Sequence, residues 1–135
     1  VITGVGVDIA DIDRFRRITF ERGDRFIQRV FTEREVDYCW RCAHPEERFA
    51  ARFAAKEAVF KALRIGWQEG LTFRDVEVVN GPLGEPRIVL WRGAARIAGE
   101  KGITHFHVSL SHTDAYAVAQ VVAERLEGAS EDWSE

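Results

Sequence analysis

The sequence predicts an α+β fold, with an antiparallel sheet packed against one long central helix. Three observations carry this. Alternating apolar residues mark one strand near the start and four more in the second half, with helical patterns between. Residues 45–63, PEERFAARFAAKEAVFKAL, keep a helical pattern for about five turns. The later strands are joined in pairs by short turn-forming segments, which sets each pair antiparallel.

Val5, Val7 and Ile9 alternate with Gly4, Gly6 and Asp8, the period of a strand. The second face carries two glycines and then a carboxylate at what reads as the strand end. Bare backbone there gives a ligand room to approach Asp8. Asp11 or Asp13 caps a helix with Ile12, Phe15 and several arginines. Gly23 and Asp24 interrupt that run. Thr32-Glu33-Arg34-Glu35 has the form of a capping box and starts a helix through Val36 and Tyr38. Pro45, Glu46 and Glu47 suit the first turn of the long helix, and Gly66 is its expected stop.

Val76–Val79 and Arg87–Trp91 read as strands, linked by the turn-rich Asn80-Gly81-Pro82-Leu83-Gly84. Ala94–Lys101 reads as a short helix ending at Gly102. His105–Ser111 alternates again, His112-Thr113-Asp114 turns the chain, and Tyr116–Ala123 is the last strand. Residues 1–126 form one expected domain, and residues 127–135 an acidic tail expected to fray.

The 135 residues are 46% hydrophobic and 30% charged, the balance of a soluble globular protein. No apolar run approaches the roughly 20 residues of a membrane span. No basic-then-apolar leader is visible either. A cytoplasmic location is expected. The net charge of −3 weighs against a nucleic-acid-binding domain. Two cysteines rule out a disulfide framework and fit a reducing compartment. The Cys39-x-x-Cys42 spacing lacks two further ligands for tetrahedral zinc. It also closes a helix, where a thioredoxin-like motif would open one.

Charge on the long helix is the informative oddity. Phe49, Phe53, Val59, Phe60 and Leu63 share one arc, and Ala51, Ala55, Ala58 and Ala62 the opposite one. Glu57 and Lys61 lie on the strip between, while Lys56 falls inside the aromatic arc. Charged residues avoid burial unless paired or bound to an ion. The plain alternative is a solvated Glu-to-Lys pair worth about 0.2–0.5 kcal/mol. Asp8 and Glu57 together are two hard oxygen ligands. Mg²⁺ accepts such a pair when a substrate phosphate and waters complete its octahedron. Lys61, one turn from Glu57, then reaches a phosphate oxygen. Residues 14–29 also carry six arginines against Glu21 and Asp24, which fits an acidic partner docked on one face.

These residues sit in segments that resemble the bacterial holo-acyl-carrier-protein synthases, the short class of 4′-phosphopantetheinyl transferases. The segments are GVGVDIADIDRF at 4–15, RFAARFAAKEAVFKAL at 48–63, GEPRIVLW at 84–91 and HVSLSHTDAYAVAQVV at 107–122. The first carries the family's G-x-D. The second carries its K-E-x-x-x-K as Lys56 to Lys61. The resemblance implies the 4′-phosphopantetheinyl transferase fold, coenzyme A as donor and a serine of apo acyl-carrier protein as acceptor, in fatty acid biosynthesis. It implies Asp8 and Glu57 as magnesium ligands and Lys61 on the diphosphate. Lys56 either does the same or anchors Glu57. Whether a water on the metal or a carboxylate takes the serine proton stays open.

By the same resemblance Arg14, then Arg17 and Arg25, dock the carrier. Ser111 and His112 touch coenzyme A or the reaction centre, with Arg52 and Gly66 as further nucleotide contacts. A homotrimer with active sites between subunits is implied as well. A rival reading is a non-catalytic binding module for an acidic protein, with Asp8 and Glu57 as structural charges. It predicts no magnesium dependence and no affinity for coenzyme A.

Overall fold

The structure is a computed structural model that describes residues 1–22, 24–66 and 70–127. Gly23 and nearly all of the acidic tail, both singled out above, lie outside the described residues. The chain runs β1 (Ile2–Asp11), α1 (Ile12–Arg17), a π-helical turn (Ile18–Arg22), α2 (Asp24–Val30), α3 (Glu33–Arg41) and α4 (Pro45–Ala62). A 3₁₀ turn (Phe73–Asp75) leads into β2 (Val76–Asn80), β3 (Pro86–Leu90), α5 (Arg92–Glu100), β4 (His105–His112) and β5 (Tyr116–Glu124). The α+β class and the order of elements agree with the sequence. The strands divide into two antiparallel sheets: β1-β5-β4, and the pair β2-β3.

Local chemistry explains the helix starts. Asp11 caps α1 by accepting from the Asp13 amide, and Thr32 with Glu35 closes a full capping box on α3. Pro45 opens α4 at a position where its missing N–H costs nothing.

The end of α4 differs from expectation. The helix stops at Ala62, and Arg64 at φ 59° takes the left-handed turn that Gly66 was expected to supply. The Arg64 amide donates to the Lys61 carbonyl at 3.0 Å, which satisfies one of the exposed terminal acceptors.

The two arcs of α4 face different layers. Its alanine arc lies on β1 and β5, whose inward residues are Gly4, Gly6, Ala117, Ala119, Val121 and Ala123. A Cβ on Gly6 would lie 1.9 Å from the Ala58 carbonyl oxygen, and one on Gly4 2.0 Å from that of Ala62. The glycines therefore admit the helix, and no ligand can approach the bare backbone from that side. On the aromatic arc, Phe53 packs on Phe15 at 5.4 Å and Phe73 at 5.2 Å, and Phe49 on Phe31 at 4.9 Å, between ring centroids. Val5, Val7 and Ile9 face outward and are exposed. Register aligns Val5 with Val122, Val7 with Gln120 and Ile9 with Val118, so the outer sheet face is apolar along β1 and continues on β5 as two valines around an exposed glutamine.

Candidate active site

Because α4 is pressed onto the glycine face of β1, Asp8 lies beside Glu57 and Lys61. Asp8 sits within β1, three residues before its end. Lys61 Nζ donates to Asp8 Oδ1 at 3.1 Å and to the Val7 carbonyl at 2.9 Å. Glu57 is half-buried. Desolvation pushes its carboxyl above the ordinary 4.5, Asp8 adds to the rise, and Lys61 and Arg14 oppose it. Two neighbouring carboxylates thus compete for one lysine. That surplus of negative charge fits a divalent cation, and two oxygen ligands leave most of a magnesium octahedron to substrate and water.

Arg14 belongs to this neighbourhood, with its guanidinium 5.9 Å from the Phe53 ring centre. Arg14 and Arg17 are exposed on α1 and Arg25 on α2. Phe20, 76% exposed, adds an apolar residue between them that the charge pattern alone did not reveal.

Lys56 corrects the sequence reading. It is fully buried, and its ammonium donates to Glu35 Oε1 at 2.7 Å, to the Phe73 carbonyl at 3.1 Å and to the Val76 carbonyl. All three protons are used. It neither reaches a phosphate nor anchors Glu57. Glu35 is the functional candidate that sequence reasoning missed. A lysine in an aromatic arc requires a buried carboxylate, and Glu35 was already visible in the capping box.

Arg52 lies one turn before Lys56, about 140° round the helix from Glu57. It stacks on the Tyr38 ring at 4.2 Å and donates to Asn80 Oδ1 at 3.1 Å. Its buried Nε has no partner. It lines a cavity of about 280 Å³ with Arg34, Tyr38, Arg41 and Asn80. His112 stands at the other end of α4, with Nε2 3.6 Å from Glu47 Oε2. Ten residues of helix, about 15 Å, separate Glu47 from Glu57. Ser111 faces outward, in register with Val118 and through it with Ile9. Gly66 is exposed, with open space around it. Within one chain the structure therefore joins Asp8, Glu57, Lys61 and Arg14, and leaves Arg52, Ser111 and His112 apart. Burial pushes the Cys39 thiol up to about 12, which makes it a core residue.

The chain belongs to the 4′-phosphopantetheinyl transferase superfamily, whose sequence model matches residues 4–121. Its relatives within that family are more particular. It is 47% identical over 126 residues to the holo-[acyl-carrier-protein] synthase of Geobacter metallireducens, covering 93% of this chain and 100% of that protein. The crystal structure of holo-[acyl-carrier-protein] synthase from Neisseria meningitidis superposes with a TM-score of 0.84 at 31% identity, covering 93% of this chain and 100% of that one. The Bacillus anthracis synthase in complex with CoA (3′,5′-ADP) superposes at 0.75 with 33% identity, over 93% and 98% of the two chains.

Proposed function

We propose that the protein transfers the 4′-phosphopantetheine arm of coenzyme A to a serine of apo acyl-carrier protein, as a holo-[acyl-carrier-protein] synthase. The serine hydroxyl passes its proton to a water or a carboxylate as its oxygen forms a bond to the β-phosphorus, the bond from that phosphorus to the bridging oxygen breaks, and adenosine 3′,5′-bisphosphate leaves. The Asp8–Glu57–Lys61 cluster, set in the fold of this family, carries the reading.

Asp8 and Glu57 would hold a magnesium ion. When bound, that ion offsets charge on the transferring phosphoryl group and the leaving group. Lys61 spends two protons on Asp8 and Val7 and keeps one for a diphosphate oxygen. Arg14, Arg17 and Arg25 hold the acidic carrier, with Phe20 as an apolar contact between them. The unpartnered Nε of Arg52 and its cavity suit the phosphate-bearing nucleotide end of coenzyme A. Gly66 leaves room at the end of α4 for the extended arm.

Arg52 and Glu57 occupy different sides of α4, so one coenzyme A is best shared between copies. The exposed apolar row Val5, Val7 and Ile9 on the outer face of β1 supports a homotrimer built on that face, with Ser111 and His112 delivered to a neighbouring site. On this reading the enzyme serves fatty acid biosynthesis in the cytoplasm. Among the described residues, no helix is long and apolar enough to cross a membrane.

The test is to incubate the protein with apo carrier, coenzyme A and Mg²⁺ and to weigh the carrier by mass spectrometry. The expected result is a gain of one phosphopantetheine that EDTA abolishes. No gain with Mg²⁺ or Mn²⁺ would sink the assignment.

A further inference from the structure

We propose that Glu35 is a positioning residue for this chemistry. By gripping Lys56 it sets the rotation of α4 about its axis, and so the spacing of the Glu57 and Asp8 carboxylates. The inference rests on the transferase reading above.

The contact between α4 and the three-stranded sheet is smooth. Glycine and alanine meet there, backbone nearly against backbone, which fixes how close the helix lies. On that side small residues offer few knobs to resist rotation about the helix axis, so rotation is set from the opposite arc, by the rings of Phe49, Phe53 and Phe60 and by the one polar contact among them. Rotation needs a lever arm, and Lys56 is one. Its four-carbon stem runs through the aromatic layer, with Nζ 5.5 Å from the Phe31 ring centre. Its head is pinned by Glu35 of α3, by Phe73 in the 3₁₀ turn and by Val76 of β2. Glu35 is pinned in turn. One carboxylate oxygen accepts the Thr32 amide at 2.9 Å, and the other accepts the Val78 amide at 2.8 Å. The next residue along the helix is Glu57.

Stability alone is a poor account of the pair. Both side chains are fully buried, and apolar replacements of such pairs are often neutral or stabilising. Geometry is the better account. A carboxyl about 6 Å from a helix axis moves about 1 Å for a turn of about 10°. Misplacement of about 1 Å at a reacting centre can cost about 10²-fold in rate.

The test compares wild type with Glu35→Asp, which keeps the charges but shortens the grip, and with the double variant Glu35→Gln/Lys56→Met. Circular dichroism and thermal melts establish the folded fraction. Turnover is measured against carrier concentration well below each melting temperature. Mn²⁺ binding in the presence of coenzyme A is read from the free-ion EPR signal, independently of turnover. In the variants kcat should fall by about tenfold or more, with KM for the carrier within about twofold and the Mn²⁺ dissociation constant raised about tenfold. A folded variant with kcat and Mn²⁺ affinity within about twofold of wild type would overturn the proposal, even if its melting temperature had dropped. Wild type without transfer activity would instead overturn the transferase reading, and this inference with it.

Discussion

Lys61 neutralises Asp8, at 3.1 Å, and leaves Glu57 one turn away with no hydrogen bond or ion pair among the described residues. The helix therefore carries a carboxylate whose charge is unfavourable in the folded protein, for desolvation first and for Asp8 second. An arrangement that costs stability yet is built into the central helix fits a residue kept for its chemistry.

Glu57→Gln should accordingly trade activity for stability. The folded-state pKa of Glu57 lies above its unfolded value of 4.5. Between those two values the native state holds more protons than the unfolded state, so stability falls as pH rises through that window. At pH 7 the glutamine variant should melt at a higher temperature than wild type. At pH 4, below both values, the two should melt together. Its kcat should drop about 10²–10³-fold at saturating Mg²⁺. A lower melting temperature at pH 7 would contradict the assigned strain, and full activity would remove Glu57 from the metal.

Gly6→Ala tests the clasp between β1 and α4. The added Cβ would sit 1.9 Å from a backbone oxygen, which no side-chain rotation can relieve. The helix must move away from the sheet, at a cost of about 2–4 kcal/mol in a urea melt. Gly66→Ala is the control: nothing lies within 4 Å and its φ is not positive, so its stability should change by less than about 0.5 kcal/mol. Equal effects at the two sites would refute the close approach.

Arg64→Gly addresses the end of α4. A left-handed non-glycine residue costs about 1–2 kcal/mol, and glycine gives back about 0.5–1 kcal/mol in unfolded-chain entropy. The strain outweighs the entropy, so the variant should gain up to about 1 kcal/mol, read as a higher urea midpoint with the slope unchanged. A loss of stability would mean that the arginine side chain contributes more than its backbone costs.

Local signals carried the sequence reading far. The capping box of Thr32 and Glu35, the proline that opens α4 and the strand alternations all act over a few residues, and each element they mark is present. Asp8, Glu57 and Lys61 stood out because their chemistry conflicts with their apolar surroundings. What failed depends on contacts distant in sequence. Lys56 finds Glu35 across 21 residues, so its place in the aromatic arc announced a partner without naming it. Gly4 and Gly6 read as open backbone because the helix that fills the space comes more than 50 residues later. Gly66 looked like the helix stop by residue type, yet Arg64 took the left-handed turn because the helix ended at Ala62.

The separation of Arg52 from Glu57 gives the sharpest test of a site shared between copies. Arg52→Ala and Glu57→Gln should each be nearly inactive alone. Mixed, unfolded and refolded together in equal amounts, they should form trimers at random. A working site then needs the intact Glu57 of one copy beside the intact Arg52 of its neighbour. Each condition is met about half the time, so about a quarter of the wild-type rate should return. If Arg52 and Glu57 served the same copy's site, every site would carry one lesion and the mixture would stay inactive. Adding Val7→Asp to both variants places a charge on the exposed apolar face of β1. Sedimentation should then show monomers, and the recovered rate should disappear with the trimer.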